Sequence, residues 1–464
     1  MALEENSESK TEKVHLISLG CPKNRVDSEV MVGQLRSGPF ELIDDPDDAD
    51  VIVVNTCSFI QPATEESIQT VLDMAERKAS GKCQKLVVTG CMVQRYGTAL
   101  ESELPEVDFF LGTGEYHKIT EVLSSPSNSA IQKSHVDTPL YIHDEFAERL
   151  PSWKPHSAYL KISEGCNHRC AFCIIPTLRG KLRSRTQDSL VKEATTLAKQ
   201  GVVELNIVSQ DSTAYGRDLK DGSDLGSLLR ALCKVDGIEW IRLHYAYPIG
   251  LPESLLLAIA DEPKICSYID IPLQHASGPM LKAMRRGVTR SGQERILDRI
   301  QSYVPDATIR TTFIVGFPGE TDDDFDVLCD FVAAKRFDRV GVFTYHPEDG
   351  TPAAELGNQV PETVKTERRE RLMSLQAEIS KARLERFLDT QQVVLVDGVS
   401  EEHDWIMVGR MSDQAPEVDG LVYLDEAPES LKPGMFCLVE IQQVAEYDMV
   451  GRFIKVVQSP HSIA

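Results

Sequence analysis

The chain has 464 residues, 42% of them hydrophobic and 26% charged, which is enough apolar content over enough length to bury substantial cores and to exclude global disorder. At roughly 150 residues per domain it should hold about three domains. Its 49 Lys and Arg against 72 Asp and Glu leave a net charge of −23, which opposes loose electrostatic adhesion to nucleic acid or anionic lipid and favours a basic partner.

In chain order, the opening MALEENSESKTEK is polar and acidic rather than basic-then-apolar, so it does not read as a signal peptide. No apolar run approaches the roughly 20 residues needed to cross a bilayer, and a cytoplasmic protein without a membrane partner is expected. Over 12–123 the apolar runs VHLISLG, VIVVNTC and KLVVTGC alternate with helical stretches, which predicts a doubly wound parallel α/β domain. The Ser- and Pro-rich 124–155 reads as a linker. Residues 156–385 supply six further strand runs, AYLKIS, VELNIVS, WIRLHYA, SYIDIPL, TIRTTFIVGF and RVGVFTYH, each followed by a helical pattern except where a long charged helix closes the segment. Six such units predict an incomplete (β/α)6 barrel, with the long helix as a solvated connector. Short β-like runs over 386–456 predict a small antiparallel β-barrel.

Eleven cysteines in a cytoplasmic chain point to metal ligands, catalytic thiols or core rather than disulfides. The most specific motif is Cys166-x-x-x-Cys170-x-x-Cys173, directly after the first barrel strand. Three thiolates on one tight loop can hold three irons of a four-iron cluster and leave the fourth iron open to a chelating substrate. A structural zinc knuckle is the alternative. Zinc normally takes four ligands in paired spacing, and only His168 of the same loop is at hand as a fourth. Position favours chemistry, because α/β barrels work at the carboxyl ends of their strands.

Cys21, Cys57 and Cys91 each follow an N-terminal strand, in SLGCPKN, VNTCSFI and VTGCMVQ. The carboxyl ends of a parallel sheet share one edge, so these thiols should converge. A second three-cysteine cluster site is the reading preferred here, with a redox disulfide between two of the thiols next. Cys83, Cys233, Cys266, Cys329 and Cys437 lack ligand spacing and are assigned to the core. His244 and Tyr245 end the third barrel strand and either face the cavity or pack in the core.

The Cys166 loop resembles that of radical S-adenosylmethionine (SAM) enzymes. The resemblance implies that the open iron binds SAM, whose reductive cleavage yields a 5′-deoxyadenosyl radical. It also implies SAM contacts at later strand ends: Ser209, Gln210 and Asp211, then Gln274, then Phe313, Ile314, Val315 and Gly316, where glycine would let the backbone approach adenine and ribose. A cluster domain before such a barrel and a small β-barrel after it resembles the methylthiotransferase family, whose C-terminal module is a TRAM domain. Family membership would make Cys21, Cys57, Cys91, Cys166, Cys170 and Cys173 the catalytic and metal-binding residues of two [4Fe-4S] clusters. It also implies two uses of SAM, as methyl donor and as radical source, and a one-electron reductant. A non-catalytic iron–sulfur protein would share the cysteines but has no need of the later strand-end motifs.

The family divides by substrate, and GCPKNRVDSE, NTCSFIQPATEES and IPLQHASGPMLKAMRRG resemble the branch that adds a methylthio group to the β-carbon of an aspartate in the small-subunit ribosomal protein uS12. The alternative is a tRNA adenosine methylthiotransferase. Charge favours the protein substrate, since 386–456 carries 14 Asp and Glu against 5 Lys and Arg, a net of −9. A barrel that grips RNA should be basic, so direct tRNA binding is disfavoured and a basic ribosomal protein is the expected partner. Residues 161–192 are the exception, with 7 Lys and Arg against 2 acidic residues. Arg179, Lys181, Arg183 and Arg185 there are candidates for contact with the substrate carboxylate or SAM, or for a solvated loop.

Overall fold

Runs of Val, Ile and Leu only six residues long, VIVVNT and KLVVTG, are buried along their whole length, as expected for parallel strands covered on both faces. They lie in a computed structural model that describes residues 11–125 and 132–461. The acidic opening stretch and the centre of the expected linker, 126–131, fall outside the described residues. The described chain divides into two compact units, one of residues 1–152 with 174–181, the other of 153–173 with 182–464. No described helix is long and apolar enough to cross a membrane.

The first unit is a parallel six-stranded sheet in the order β2-β1-β3-β4-β5-β6. Its strands are β1 (Glu12–Ser18), β2 (Phe40–Leu42), β3 (Val51–Thr56), β4 (Lys85–Gly90), β5 (Phe109–Leu111) and β6 (Ser134–His135). Helices α1 (Pro22–Arg36) and α5 (Ile119–Leu123) cover one face, where Val30, Met31, Leu35, Ile119 and Val122 pack on Val51, Val53 and Val87. Helices α2 (Gln61–Ser80) and α3 (Cys91–Tyr96) cover the other, with Val71, Met74, Met92 and Val93 against Ile52, Val54, Leu86 and Val88. The short α4 (Leu100–Glu103) completes the chain before β5, and α6 (Ile175–Arg179) returns to this unit from far downstream.

Part of 124–155, expected as a linker, belongs to this unit instead. Its β6 pairs with β5, and Arg149 and Ser152 bond the buried Glu29 of α1. Ser and Pro content signalled irregular chain correctly but carries no signal for docking.

In the second unit, β7 (Ser157–Lys161), β10 (Glu204–Val208), β11 (Trp240–Leu243), β12 (Ile265–Asp270), β13 (Thr308–Val315) and β14 (Arg339–Thr344) form one open parallel sheet. A two-residue hairpin, β8 (Ser163–Glu164) with β9 (Arg183–Ser184), frames the cysteine loop. Helices α7 (Gln187–Lys199), α8 (Leu225–Leu232), α9 (Glu253–Asp261), α10 (Gly278–Ala283), α11 (Arg290–Tyr303) and α12 (Asp322–Lys335) follow the strands in turn. The alternation within each strand is strict. Leu205, Ile207, Ile241, Leu243, Ile269, Phe313 and Val315 face the helices. The intervening Asn206, Arg242, His244, Asp270 and Arg310 line a polar inner face, where His244 bonds Asn206 at 3.2 Å and Arg310 bonds Asp270 at 3.0 Å. His244 is therefore an inner-face residue rather than an apolar-core one.

Helix α13 (Glu362–Leu384) is not a solvated connector. It buries Lys365, Arg368, Leu372, Gln376, Ile379 and Leu384, and its Leu372 and Ile379 join the sheet's core. Charged stems packed along apolar surface hid this face from a hydropathy reading.

A closed five-stranded barrel follows, β15 (Gln391–Val399), β16 (Met407–Arg410), β17 (Val422–Asp425), β18 (Phe436–Val444) and β19 (Met449–Val457). It covers the amino ends of the sheet. Trp240, Cys266 and Tyr268 pack on Leu395, Phe436 and Leu438, and Glu204, the first residue of β10, pairs with Arg410. The sheet's carboxyl edge is left to the cysteine loop. Of the non-motif cysteines, Cys83, Cys266, Cys329 and Cys437 are buried and Cys233 is half-buried against the core.

Candidate functional site

In the first unit β3 lies between β1 and β4, all parallel, and Cys21, Cys57 and Cys91 occupy the turns that follow these three strands. Cys21 is the N-cap of α1 and Cys91 opens α3. The turns touch. Gly20 has φ +87, and a Cβ there would lie 2.6 Å from the Cys57 Cβ. Two buried asparagines tie the turns together. Asn24 donates to the carbonyl oxygens of Leu19 and Thr56, and Asn55 donates to Asn24 O at 2.9 Å and Ser28 Oγ at 2.8 Å. Burial pushes the Cys91 thiol up to about 12, opposed by the Arg179 guanidinium and reinforced by Cys21 and Cys57. Burial also raises Cys57.

Arg179 comes from α6 and is fully buried. Its Nη1 pairs with Asp27, and its Nη2 donates to Asn24 Oδ1 at 3.0 Å and Cys91 Sγ at 3.5 Å. Ile174 and Leu178 of the same segment pack on Cys91, and Thr113 Oγ1 donates to Leu178 O. Arg179 is thus buried in the Cys21–Cys57–Cys91 site and not in a solvated loop.

In the second unit, Cys166, Cys170 and Cys173 lie on the loop between β8 and β9. A stack supports this loop. The His168 ring lies 3.6 Å from the Tyr247 ring, and the Arg286 guanidinium lies 4.3 Å over the other partner of that stack, Tyr247. His168 Nε2 is 2.7 Å from Asp211 Oδ2, and Arg286 Nη1 donates to Cys170 Sγ at 3.4 Å. Arg286 Nη2 and Tyr247 Oη are anchored on the Pro272 and Arg286 carbonyls. Burial pushes the Cys166 thiol up to about 11, against the lowering effect of the His168 N–H and Arg286. With Nε2 on Asp211 and its ring stacked on Tyr247, His168 braces the loop.

The remaining predicted positions are placed as follows. Ser209 Oγ is 3.1 Å from Ser212 Oγ, and Gln210 Nε2 donates to Glu164 Oε1 at 2.6 Å. Asp211 accepts from Thr213 as well as facing His168. Gln274 adopts φ +72 and extends the sheet through backbone bonds with Thr312 and Ile314. Phe313 and Val315 are fully buried against the helices, so their side chains are core and only Ile314 alternates to the inner face. At Gly316 a Cβ would lie 2.2 Å from Lys365 Cγ, so any side chain there would collide with the α13 lysine. Arg185 is buried on Glu193 and Ser189, while Lys181 is exposed.

None of the eleven cysteines is in a disulfide. Among the described residues no three Cys, His, Asp or Glu side chains are gathered so as to hold a single metal ion. A cubane makes a different demand, because each thiolate binds its own iron. Both sites meet it chemically, with three thiols, a buried guanidinium N–H on one sulfur, and no fourth cysteine. Arg286, Tyr247, Asn24 and Asn55 were not singled out by sequence reasoning, and Arg179 was named only as a contact for SAM or the substrate carboxylate, from the positive run at 161–192.

Gly20→Ala is expected to force the Cys57 turn aside. A left-handed conformation for a non-glycine residue costs about 1–2 kcal/mol, so a modest fall in denaturant midpoint should accompany loss of most iron bound by a variant lacking Cys166, Cys170 and Cys173. Full iron retention there would show that the contact is not critical.

Three families match parts of the chain: Uncharacterized protein family UPF0004 over residues 13–112, the radical SAM superfamily over 160–332 and the TRAM domain over 390–454. The chain is 50% identical over 442 residues to the ribosomal protein uS12 methylthiotransferase RimO of Anaeromyxobacter sp. (strain K), covering 95% of this chain and 93% of that protein. It is 47% identical to the protein of the same name from Geobacter sulfurreducens, covering 96% and 99%. Among solved structures, the radical SAM methyltransferase TsrM from Kitasatospora setae is similar in fold, with a TM-score of 0.52 at 14% identity over 74% of this chain and 77% of that one.

Proposed function

Since the chain belongs to the RimO family of radical SAM methylthiotransferases, we propose that it adds a methylthio group to the β-carbon of an aspartate in ribosomal protein uS12, with two iron–sulfur sites in separate units of the chain. The observation that carries this reading is the pair of three-thiol sites, Cys21–Cys57–Cys91 and Cys166–Cys170–Cys173, each held at the carboxyl edge of its own parallel sheet. Cys166, Cys170 and Cys173 would hold a [4Fe-4S] cluster that would supply one-electron cleavage of SAM, and Cys21, Cys57 and Cys91 a second that would supply methylthio donation.

This chain's residues do the rest. Three thiolates per site leave one coordination position open. The His168–Tyr247–Arg286 stack holds the second loop rigid, and Asn24 and Asn55 lock the first. Burial shields Cys57 and Cys91 at the first site and Cys170 at the second, while Cys21, Cys166 and Cys173 are half-buried. Acidic excess after residue 386 suits a basic ribosomal protein, and action on such a substrate fits the cytoplasm. A one-electron reductant completes the set of partners.

The test supplies anaerobically reconstituted, reduced enzyme with SAM, free uS12 and bulk tRNA, and searches both products for methylthio addition by mass spectrometry. A gain on one uS12 aspartate with tRNA unchanged is expected. Modified adenosine with unmodified uS12 would overturn the substrate and keep the chemistry.

A further inference from the structure

We infer that Arg179 is a positioning residue of the Cys21–Cys57–Cys91 site, tuning the group those thiols hold through an N–H···S bond to Cys91. The inference rests on reading these cysteines as cluster ligands. Three observations carry it. First, Arg179 is fully buried, and its guanidinium is shared among three partners: Asp27, Asn24 Oδ1 at 3.0 Å and Cys91 Sγ at 3.5 Å. Only a planar fork of donors meets all three; an ammonium could keep the carboxylate but not the other two in the same geometry.

Second, every neighbour of the fork is itself fastened. Asn24 is held by the carbonyls of Leu19 and Thr56, so the turns before Cys21 and Cys57 and the sulfur of Cys91 all meet the same guanidinium network. Third, the second site repeats the device with unrelated elements. Arg286 donates to Cys170 Sγ at 3.4 Å while its other nitrogen is pinned on Pro272 O. A guanidinium on one sulfur of each three-thiol set is hard to assign to packing alone.

The consequence is electronic. Reduction adds negative charge to a cluster, and N–H donors to its sulfurs favour the reduced form. Asp27 offsets most of the guanidinium's net charge, which leaves the directed hydrogen bond as the larger effect. Losing it should make the first cluster harder to reduce. The segment that delivers Arg179 directly follows Cys173 in the chain, so completion of the first site depends on residues that sequence alone would assign to the second.

The test uses full-length chain with Cys166, Cys170 and Cys173 replaced by alanine, so that only the first site can hold iron. Arg179→Lys and Arg179→Gln are made in that background, with folding checked by circular dichroism, and iron content and reduction potential are measured. Retained fold, with the ratio of reduced to oxidised cluster at a fixed potential lowered about tenfold in both variants, is expected; that shift corresponds to about 59 mV for one electron. Loss of iron from a folded Arg179→Lys chain supports the same role. Unchanged iron and potential in Arg179→Lys would overturn it, because a purely structural ion pair with Asp27 survives that change. Absence of iron from the parent background would instead refute the cluster reading itself.

Discussion

Cys91→Ala is expected to abolish methylthio transfer while leaving SAM cleavage intact. The thiol is buried between Cys21, Cys57 and Arg179, in a unit that carries none of the Cys166 loop's cysteines. Removing one sulfur atom from such a site costs about 1 kcal/mol of stability, so the fold should persist. Iron should fall from about eight to about four per chain, the content of one four-iron cluster. Product should drop below detection, with 5′-deoxyadenosine still released from SAM. Cys166→Ala should eliminate both products. Methylthio product from Cys91→Ala, or SAM cleavage by Cys166→Ala, would show that the two sites have been assigned the wrong chemistry.

The second large effect concerns how the small barrel is held. Arg410 is completely buried between Glu204 at 2.7 Å and Asp397 at 2.6 Å, with Arg242 also on Glu204 and His156 on Asp397. Arg410→Met leaves two buried carboxylates short of a cation, a change that costs about 3–5 kcal/mol. Backbone hydrogen exchange over 391–457 should rise sharply, and the denaturant midpoint should fall. The effect has a pH signature. Burial would raise Glu204, but Arg410 and Arg242 more than reverse this and hold it at about 2. Asp397 is likewise held well below the usual carboxylate range, against its burial, by Arg410 and His156.

A depressed carboxylate contributes stability that is fully present above its unfolded value and lost as pH falls through its folded one. The native latch should therefore hold above about pH 4.5, weaken as pH falls towards 2 where Glu204 protonates, and go on weakening below that as Asp397 follows. In Arg410→Met the buried carboxylates lose their cation and protonate more readily, so the gap between variant and parent should narrow as pH falls below about 4. A gap independent of pH would mean that the loss is one of packing rather than of charge.

The same latch revises an argument from composition. Asp397, Asp413 and Asp419 were counted towards an acidic binding surface, yet they face Arg410, Arg339 and Arg310 within the unit. A charge count cannot distinguish a carboxylate that meets solvent from one that docks a domain. The acidic excess survives this subtraction, but the barrel that carries it covers the amino ends of the strands, whereas the cysteine loop is at their carboxyl ends.

Among the strand-end motifs, position in the chain was legible and side-chain direction was not. Phe313 and Val315 follow the two-residue period of a strand that alternates between apolar and polar neighbours, and that period places them on the helix side. The side of Gly316 that a Cβ would occupy is filled by Lys365, from a helix whose charged sequence looked solvated.

The sequence by itself determined the layered architecture and the grouping of cysteines. Both follow from local periodicity: short apolar runs alternating with helices build parallel sheets, and parallel sheets present all their carboxyl ends on one edge, so a cysteine after each strand is enough to predict convergence. Only the tertiary structure decided which arginine meets which thiol, which edge the small barrel covers and where α6 belongs. Those contacts join residues 88 positions apart, as Arg179 and Cys91, or 206 apart, as Arg410 and Glu204. No local pattern encodes such pairs. They are selected when burial leaves each charged or polar group only the partners that the completed fold brings within hydrogen-bonding distance.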